Sequence, residues 1–178
     1  MADSNTTKKA LASALKELME EHPFEKINVS DICERCEMKR KSFYYHFKDK
    51  HDLVNWIFDT EFVATEPKET DRNIWKLVNL LCEYFYKNRS FYRKAFSIQG
   101  QNSFSEHFRD FLIPKITNRL AGVLTMEELE SFQSKFIAEI SVLAFQKWLI
   151  DSKMSPEEFI NQMKLGVKYI VNRYERDA

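Results

Sequence analysis

The stretch Val29–Leu53, VSDICERCEMKRKSFYYHFKDKHDL, decides the fold. It holds two short apolar-periodic segments on either side of a tight turn. In the first, the Ser30 hydroxyl is placed to cap free backbone N–H groups, and Asp31 lies in the first turn, where the helix dipole favours an acid. Ile32, Cys33 and Cys36 then share one face. In the second, Phe43 and Phe47 stand four residues apart and turn inward. Lys39, Arg40, Lys41, Ser42, Tyr44 and His46 are left outside or at the leading end. Two such segments predict a helix-turn-helix, the geometry in which the leading end of the second helix enters a DNA major groove.

Charge supports this. Residues 39–50 hold five Lys or Arg (Lys39, Arg40, Lys41, Lys48, Lys50) and one acid, Asp49, a surplus of four in a chain whose formal net charge is zero. The positive field is therefore local. Lys and Arg donate to guanine O6 and N7, and Lys, Ser and Tyr reach phosphate oxygens. A solvated helix face is the plainer reading of such a cluster, but its place on the second helix of the motif favours DNA contact.

The order Ser42, Phe43, Tyr44, His46, Phe47, Lys50, Leu53 resembles T-L-Y-x-H-F-x-x-K-x-x-L, the motif of the TetR family of bacterial transcription regulators. The resemblance runs from Leu11 to Leu53, about a quarter of the chain. It implies that Tyr44 and Lys50 clamp phosphates, that Lys39, Arg40 and Lys41 face base edges, and that the protein works as a DNA-binding dimer. The full candidate DNA surface is Ser30, Lys39, Arg40, Lys41, Ser42, Tyr44, Tyr45, His46, Lys48 and Lys50. One position departs from the family pattern: Glu37 stands where the turn usually carries Gly, and with positive φ it would cost roughly 1 kcal/mol.

The chain of 178 residues is 44% apolar, enough for a proper core, and only 3 Gly and 4 Pro point to an all-α protein. No apolar run is long enough for a membrane span, the polar start MADSNTTKKA lacks a signal-peptide core, and three Cys suit a reducing compartment. A cytoplasmic location is expected.

In chain order, the spacing predicts helix 1 over Thr6–His22, with Leu11, Leu15, Leu18 and Met19 inward, ended by Pro23. Asp49 caps a fourth helix that buries Leu53, Trp56, Ile57 and Phe62. The polar segment Thr65–Asp71, with Pro67, marks a boundary. Residues 1–48 are thus read as the helix-turn-helix domain, 49–64 as a connecting helix, and 65–178 as a helical regulatory and dimerisation domain. In that domain a helix covers residues 73–88, Ser90 caps a short helix through Ser97, and a capping box at Ser103–Glu106 opens a helix ending near Gly122. Further capping boxes fall at Thr125–Glu128 and Ser155–Glu158, the last with Pro156 at the first helical position.

From Phe136 to Ile150 only Glu139, Ser141, Gln146 and Lys147 are polar, which predicts a helix buried nearly all round. The last helix carries Gly166, a residue that costs about 1 kcal/mol against Ala unless a close neighbour needs the space. Together these two helices predict a homodimer interface of Phe136, Ile140, Leu143, Lys147, Met163, Gly166, Val167 and Ile170. Across a two-fold axis it would set two recognition helices roughly 34–36 Å apart or somewhat more, on a near-palindromic operator.

The segments NRSFYRKAF, GQNSFSEHF and KWLIDSKMSPEE are similar to the TetR subgroup that includes the activator of dihydroxyacetone kinase operons. That resemblance implies control by a protein co-activator. A small-molecule effector is the other possibility, its candidate pocket formed by Trp75, Phe85, Phe96, Phe104, Phe108 and Phe111, although aromatic stripes at helical spacing more often form plain core.

Cys33-x-x-Cys36 is half of a zinc or redox motif without its other half, so core packing is the simpler reading and a redox-responsive regulator the alternative. No metal site, cofactor pattern, phosphate loop or nucleophile signature appears, which argues against an enzyme. A helical interaction module without DNA binding is the remaining alternative.

Overall fold

The structure is a computed structural model that describes residues 2–66, 73–120 and 132–177. The described residues form nine α-helices and no strand. The N-terminal part comprises α1 (Ala2–Glu21), a 3-10 turn (Phe24–Lys26), α2 (Val29–Arg35), α3 (Arg40–His46) and α4 (Lys50–Phe58), the last running on into a π-helical turn at Asp59–Val63. The C-terminal part comprises α5 (Ile74–Lys87), α6 (Arg89–Ala95), α7 (Phe104–Leu120), α8 (Gln133–Asp151) and α9 (Pro156–Asp177).

Local chemistry explains several helix starts. Asp49 caps α4, its carboxylate accepting from His51 N at 2.8 Å and Asp52 N at 2.9 Å. Ser155 and Glu158 form the expected reciprocal box at the start of α9, at 3.2 and 2.7 Å. Ser103 Oγ accepts from Glu106 N at 3.3 Å ahead of α7.

Two expected caps move. α2 is capped not by Ser30 but by Asn28, whose side chain accepts from Asp31 N at 3.1 Å while Asp31 accepts from Asn28 N at 2.7 Å. Ser30 thus lies inside the first turn. The short helix begins at Arg89, with Asn88 in the cap position, so Ser90 is likewise internal. In both cases an Asn two residues upstream of the Ser occupies the cap position. α1 also starts at Ala2, earlier than the expected Thr6. The boundary residues 67–72, the capping box Thr125–Glu128 and the end near Gly122 lie outside the described residues.

A continuous buried core extends from Leu11 on α1 to Ile160 on α9. Its centre is Phe58, fully buried, whose ring meets Phe62, Phe85, Phe104, Phe108 and Phe111 at centroid distances of 5.3 to 6.0 Å. α4 packs on both α1 and α7, and α1 packs on α2 and α6, so the head has no core separate from the body. Lys16 on α1 pairs with Glu61 of the π turn at 2.6 Å. Glu61 accepts from Tyr84 Oη at 3.1 Å, and Tyr84 Oη lies 2.6 Å from Tyr92 Oη. Burial pushes both phenols well above the ordinary tyrosine pKa.

Candidate nucleic-acid interface

The turn between α2 and α3 is made by Glu37, at φ 54°, with Met38 N donating to Cys33 O at 2.8 Å. This is the left-handed conformation in which Gly would be unstrained. The turn lets α3 bury Phe43 and Phe47 against the head, their rings 5.7 Å apart, and leaves the opposite face to solvent.

On that face the predicted residues come together. Lys39, in the cap position of α3, and Arg40 and Lys41 in its first turn are exposed, and no acid lies in that turn. One turn on, Tyr44 is 51% exposed and Tyr45 83% exposed, large apolar areas left to water on a helix only seven residues long. Arg40 Nη2 donates to Tyr44 Oη at 3.4 Å and its guanidinium stands 5.9 Å from the Tyr44 ring, which further raises an already high pKa. Ser42 and His46 are half-buried, with the His46 ring edge-on to Tyr45 at 4.9 Å. Lys48 is exposed just beyond the helix. Such a surface offers cations to base edges and phosphates, and hydroxyls to the backbone.

Lys50 departs from the role the resemblance implies. Its ammonium donates to Phe24 O at 2.7 Å and Ile27 O at 2.6 Å and stands 4.2 Å from the Phe24 ring. Desolvation lowers its pKa. Two of its three N–H groups thus hold the 3-10 turn against α4, leaving at most one for a phosphate. Ser30, half-buried within α2, is displaced from its expected cap role in the same way.

The cysteine alternative loses support. Cys33 is buried and Cys36 half-buried, and desolvation is the leading cause raising both pKa values, which disfavours the reactive thiolate. Among the described residues no group of three or more His, Cys, Asp or Glu side chains is arranged to hold a metal.

The candidate effector pocket is filled by its own residues. Phe85, Phe96, Phe104 and Phe108 are buried and in mutual ring contact at 4.8 to 6.2 Å, with Phe111 6.3 Å from Phe108. Rings at these distances touch and leave no room for a ligand between them. Trp75 is half-buried against the core, its ring 5.5 Å from Lys164 Nζ on α9.

The predicted dimer face is open in the single chain. α8 buries Ala138, Val142, Phe145, Trp148 and Leu149 on one side. Within the single chain its other side is uncovered: Phe136, Ile140 and Leu143 are 50, 51 and 53% exposed, and Lys147 is exposed beside them. On α9 Val167 is 51% exposed and Met163 half-buried, and a Cβ built on Gly166 would meet nothing within 4 Å. No close neighbour within the described residues requires that glycine. The Ile170 side chain lies outside the described residues.

Two cations that the sequence did not single out join the elements. Lys94 on α6 donates to Met19 O, to Glu20 O at 3.1 Å and to His22 O at 3.3 Å, at the end of α1. Arg89 donates to Trp148 O at 3.3 Å, Leu149 O at 3.2 Å and Ser152 O, at the end of α8. Nothing local marks them, because their partners lie 59 to 75 residues away.

Residues 11–57 match the model for bacterial regulatory proteins of the tetR family, and residues 72–168 match that for a transcriptional regulator C-terminal region. The HTH-type dhaKLM operon transcriptional activator DhaS of Lactococcus lactis subsp. lactis (strain IL1403) is 31% identical over 132 residues, 74% of this chain and 67% of that protein. A solved structure of the dihydroxyacetone kinase operon activator DhaS is similar, with TM-score 0.57 and 26% identity over 94% of this chain and 95% of that one. NalD, the secondary repressor of the MexAB-OprM multidrug efflux pump in Pseudomonas aeruginosa, shares the fold at TM-score 0.61 and 16% identity, over 93% of this chain and 98% of that one. These relatives are transcriptional regulators, not enzymes, and the chain belongs to the TetR family of bacterial transcriptional regulators.

Proposed function

We propose that this regulator binds a near-palindromic operator as a homodimer, reading it with α3 and controlled through its C-terminal domain. The observation that carries the reading is the outer face of α3: Lys39, Arg40, Lys41, Tyr44 and Tyr45 are exposed together, with no acid in the helix's first turn. Arg40 and Lys41 read base edges, Lys39, Tyr44, Tyr45 and Lys48 contact phosphate and sugar, and Ser42 and His46 support them at the rim. The open apolar face of α8 and α9 supports the dimer. Residues 1–48 act as the reading head, 49–64 as the coupler and 65–178 as the regulatory and dimerisation part, in the cytoplasm where the DNA lies.

The close-packed rings of the body favour a protein co-regulator over a small ligand within that core. The likeness to DhaS over about three quarters of the chain makes a dihydroxyacetone kinase operon the first promoter to examine. Fluorescence anisotropy with DNA from that promoter and from the region upstream of the protein's own gene tests the reading. Tight binding should weaken steeply with salt, and Arg40→Ala should relax sequence preference by about 1–3 kcal/mol at one base pair. Undiminished, equally selective binding by Arg40→Ala would place the reading surface elsewhere.

A further inference from the structure

Helix α6 carries three cations, Arg89, Arg93 and Lys94, and no carboxylate. Arg89 and Arg93 stand one turn apart, as do Ser90 and Lys94, so these side chains share one side of the helix. With Ser97 they line an open cleft of about 670 Å³ in which each lining side chain is a cation or a hydroxyl. Elsewhere Lys16, Arg35, Arg109, Lys115 and Lys147 each face a carboxylate within 4.0 Å. Arg89 and Lys94 are half-buried and hydrogen-bond to main-chain carbonyls, the Arg89 guanidinium also standing 6.0 Å from the Tyr86 ring, and the Arg93 guanidinium has no bonding partner among the described residues. Beyond Lys94 the neighbouring hollow contains Glu21 and Glu25, but Glu21 is held by Arg35 at 2.9 Å. Adjacent cations that face no carboxylate repel one another, and a bound anion lowers that cost.

We propose that this cleft binds a small phosphate-bearing anion. Arg93 is its principal contact, Arg89 offers its remaining N–H groups, and Ser90 and Ser97 complete the rim. The site lies between the carbonyl ends of α1 and α8, which Lys94 and Arg89 cap. Negative charge beside these two cations competes with the carbonyls they cap, so occupancy is coupled to the seating of the head on the body.

Calorimetric titration of the full chain with pyrophosphate, at fixed ionic strength and without DNA, tests the site independently of the operator reading. Saturable binding of one anion per chain is expected, weakened roughly tenfold or more in Arg93→Ala, whose side chain makes no bond among the described residues, and unchanged in Lys9→Ala, at an exposed position on α1. Hydrogen exchange should quicken at residues 19–22 and 149–152 on loading. Absence of saturable binding at millimolar pyrophosphate would overturn the site, as would equal weakening in Lys9→Ala, which indicates only a general positive field. Binding of a polyglutamate peptide with pyrophosphate refused would assign the cleft to an acidic protein partner instead. Unchanged exchange at both helix ends in the loaded protein would overturn the coupling.

Discussion

Glu37 shows how a single residue stores strain in this head. Its φ of 54° is needed to swing α3 across α2, and its side chain gains nothing that would offset the left-handed backbone, being exposed and without a bonding partner among the described residues. Glu37→Gly should therefore stabilise the protein by about 1 kcal/mol, read as a higher urea midpoint with an unchanged slope. Lys50 makes the opposite case, a cation whose value is internal. Lys50→Ala leaves Ile27 O without its partner and Phe24 O with Ile27 N at 3.1 Å, and should cost about 1–3 kcal/mol of stability. Lys48→Ala, at an exposed position, should leave the denaturation midpoint in place and instead reduce the salt slope of DNA binding by about 1 for each phosphate it neutralises. A Lys50 variant as stable as the wild type would refute the stapling role.

Among the elements, α2 depends on its cap because it has only seven residues and little room for compensating bonds. Asn28 and Asp31 satisfy one backbone N–H each, so Asn28→Ala should cost about 1 kcal/mol, whereas Ser30→Ala should cost under about 0.5 kcal/mol. Thermal unfolding of the two variants side by side checks this, and a larger loss for Ser30→Ala would reverse the assignment. The π turn at Asp59–Val63 matters for a different reason. By adding a residue to one turn it places Glu61 between Lys16 of the head and Tyr84 of the body, and it presents Asp59 to His107 on α7 at 2.7 Å. One element thus ties the N-terminal head to two helices of the C-terminal part.

On the scale of the whole molecule, the continuous core predicts that head and body unfold together. Phe58→Ala, at the centre of that core, should cost about 3–5 kcal/mol and lower both parts' melting in a single transition. A head that melts separately while the body persists would contradict it. The exposed apolar face of α8 and α9 leads to the last expectation. Ile140→Asp with Leu143→Asp should leave the monomer folded, since both side chains are about half exposed, yet sedimentation at micromolar concentration should shift from dimer to monomer. Gly166→Leu should act likewise: nothing described in the chain lies within 4 Å of its added carbon, so the helix itself should tolerate the change while a close partner helix would not.

Much of this was legible in the chain alone because it depends on neighbours close in sequence. The 3.6-residue period of Leu11, Leu15, Leu18 and Met19, the Asp49 cap, the Ser155–Glu158 box and the pairing of Phe43 with Phe47 are all decided within one or two turns. The basic leading end of α3 is legible for the same reason. The Asn28 cap was also local, but Ser30 offered an equally good hydroxyl, and only the backbone bonds separate the two. What tertiary structure decided is where side chains with several possible partners went. Lys50 turned to carbonyls 23 and 26 residues away, Arg89 and Lys94 closed helix ends 59 and more residues away, and the phenylalanines closed on one another rather than around a cavity. A long cation or a ring carries no address in its spacing; which donors, acceptors or faces come within reach is set only when the helices pack.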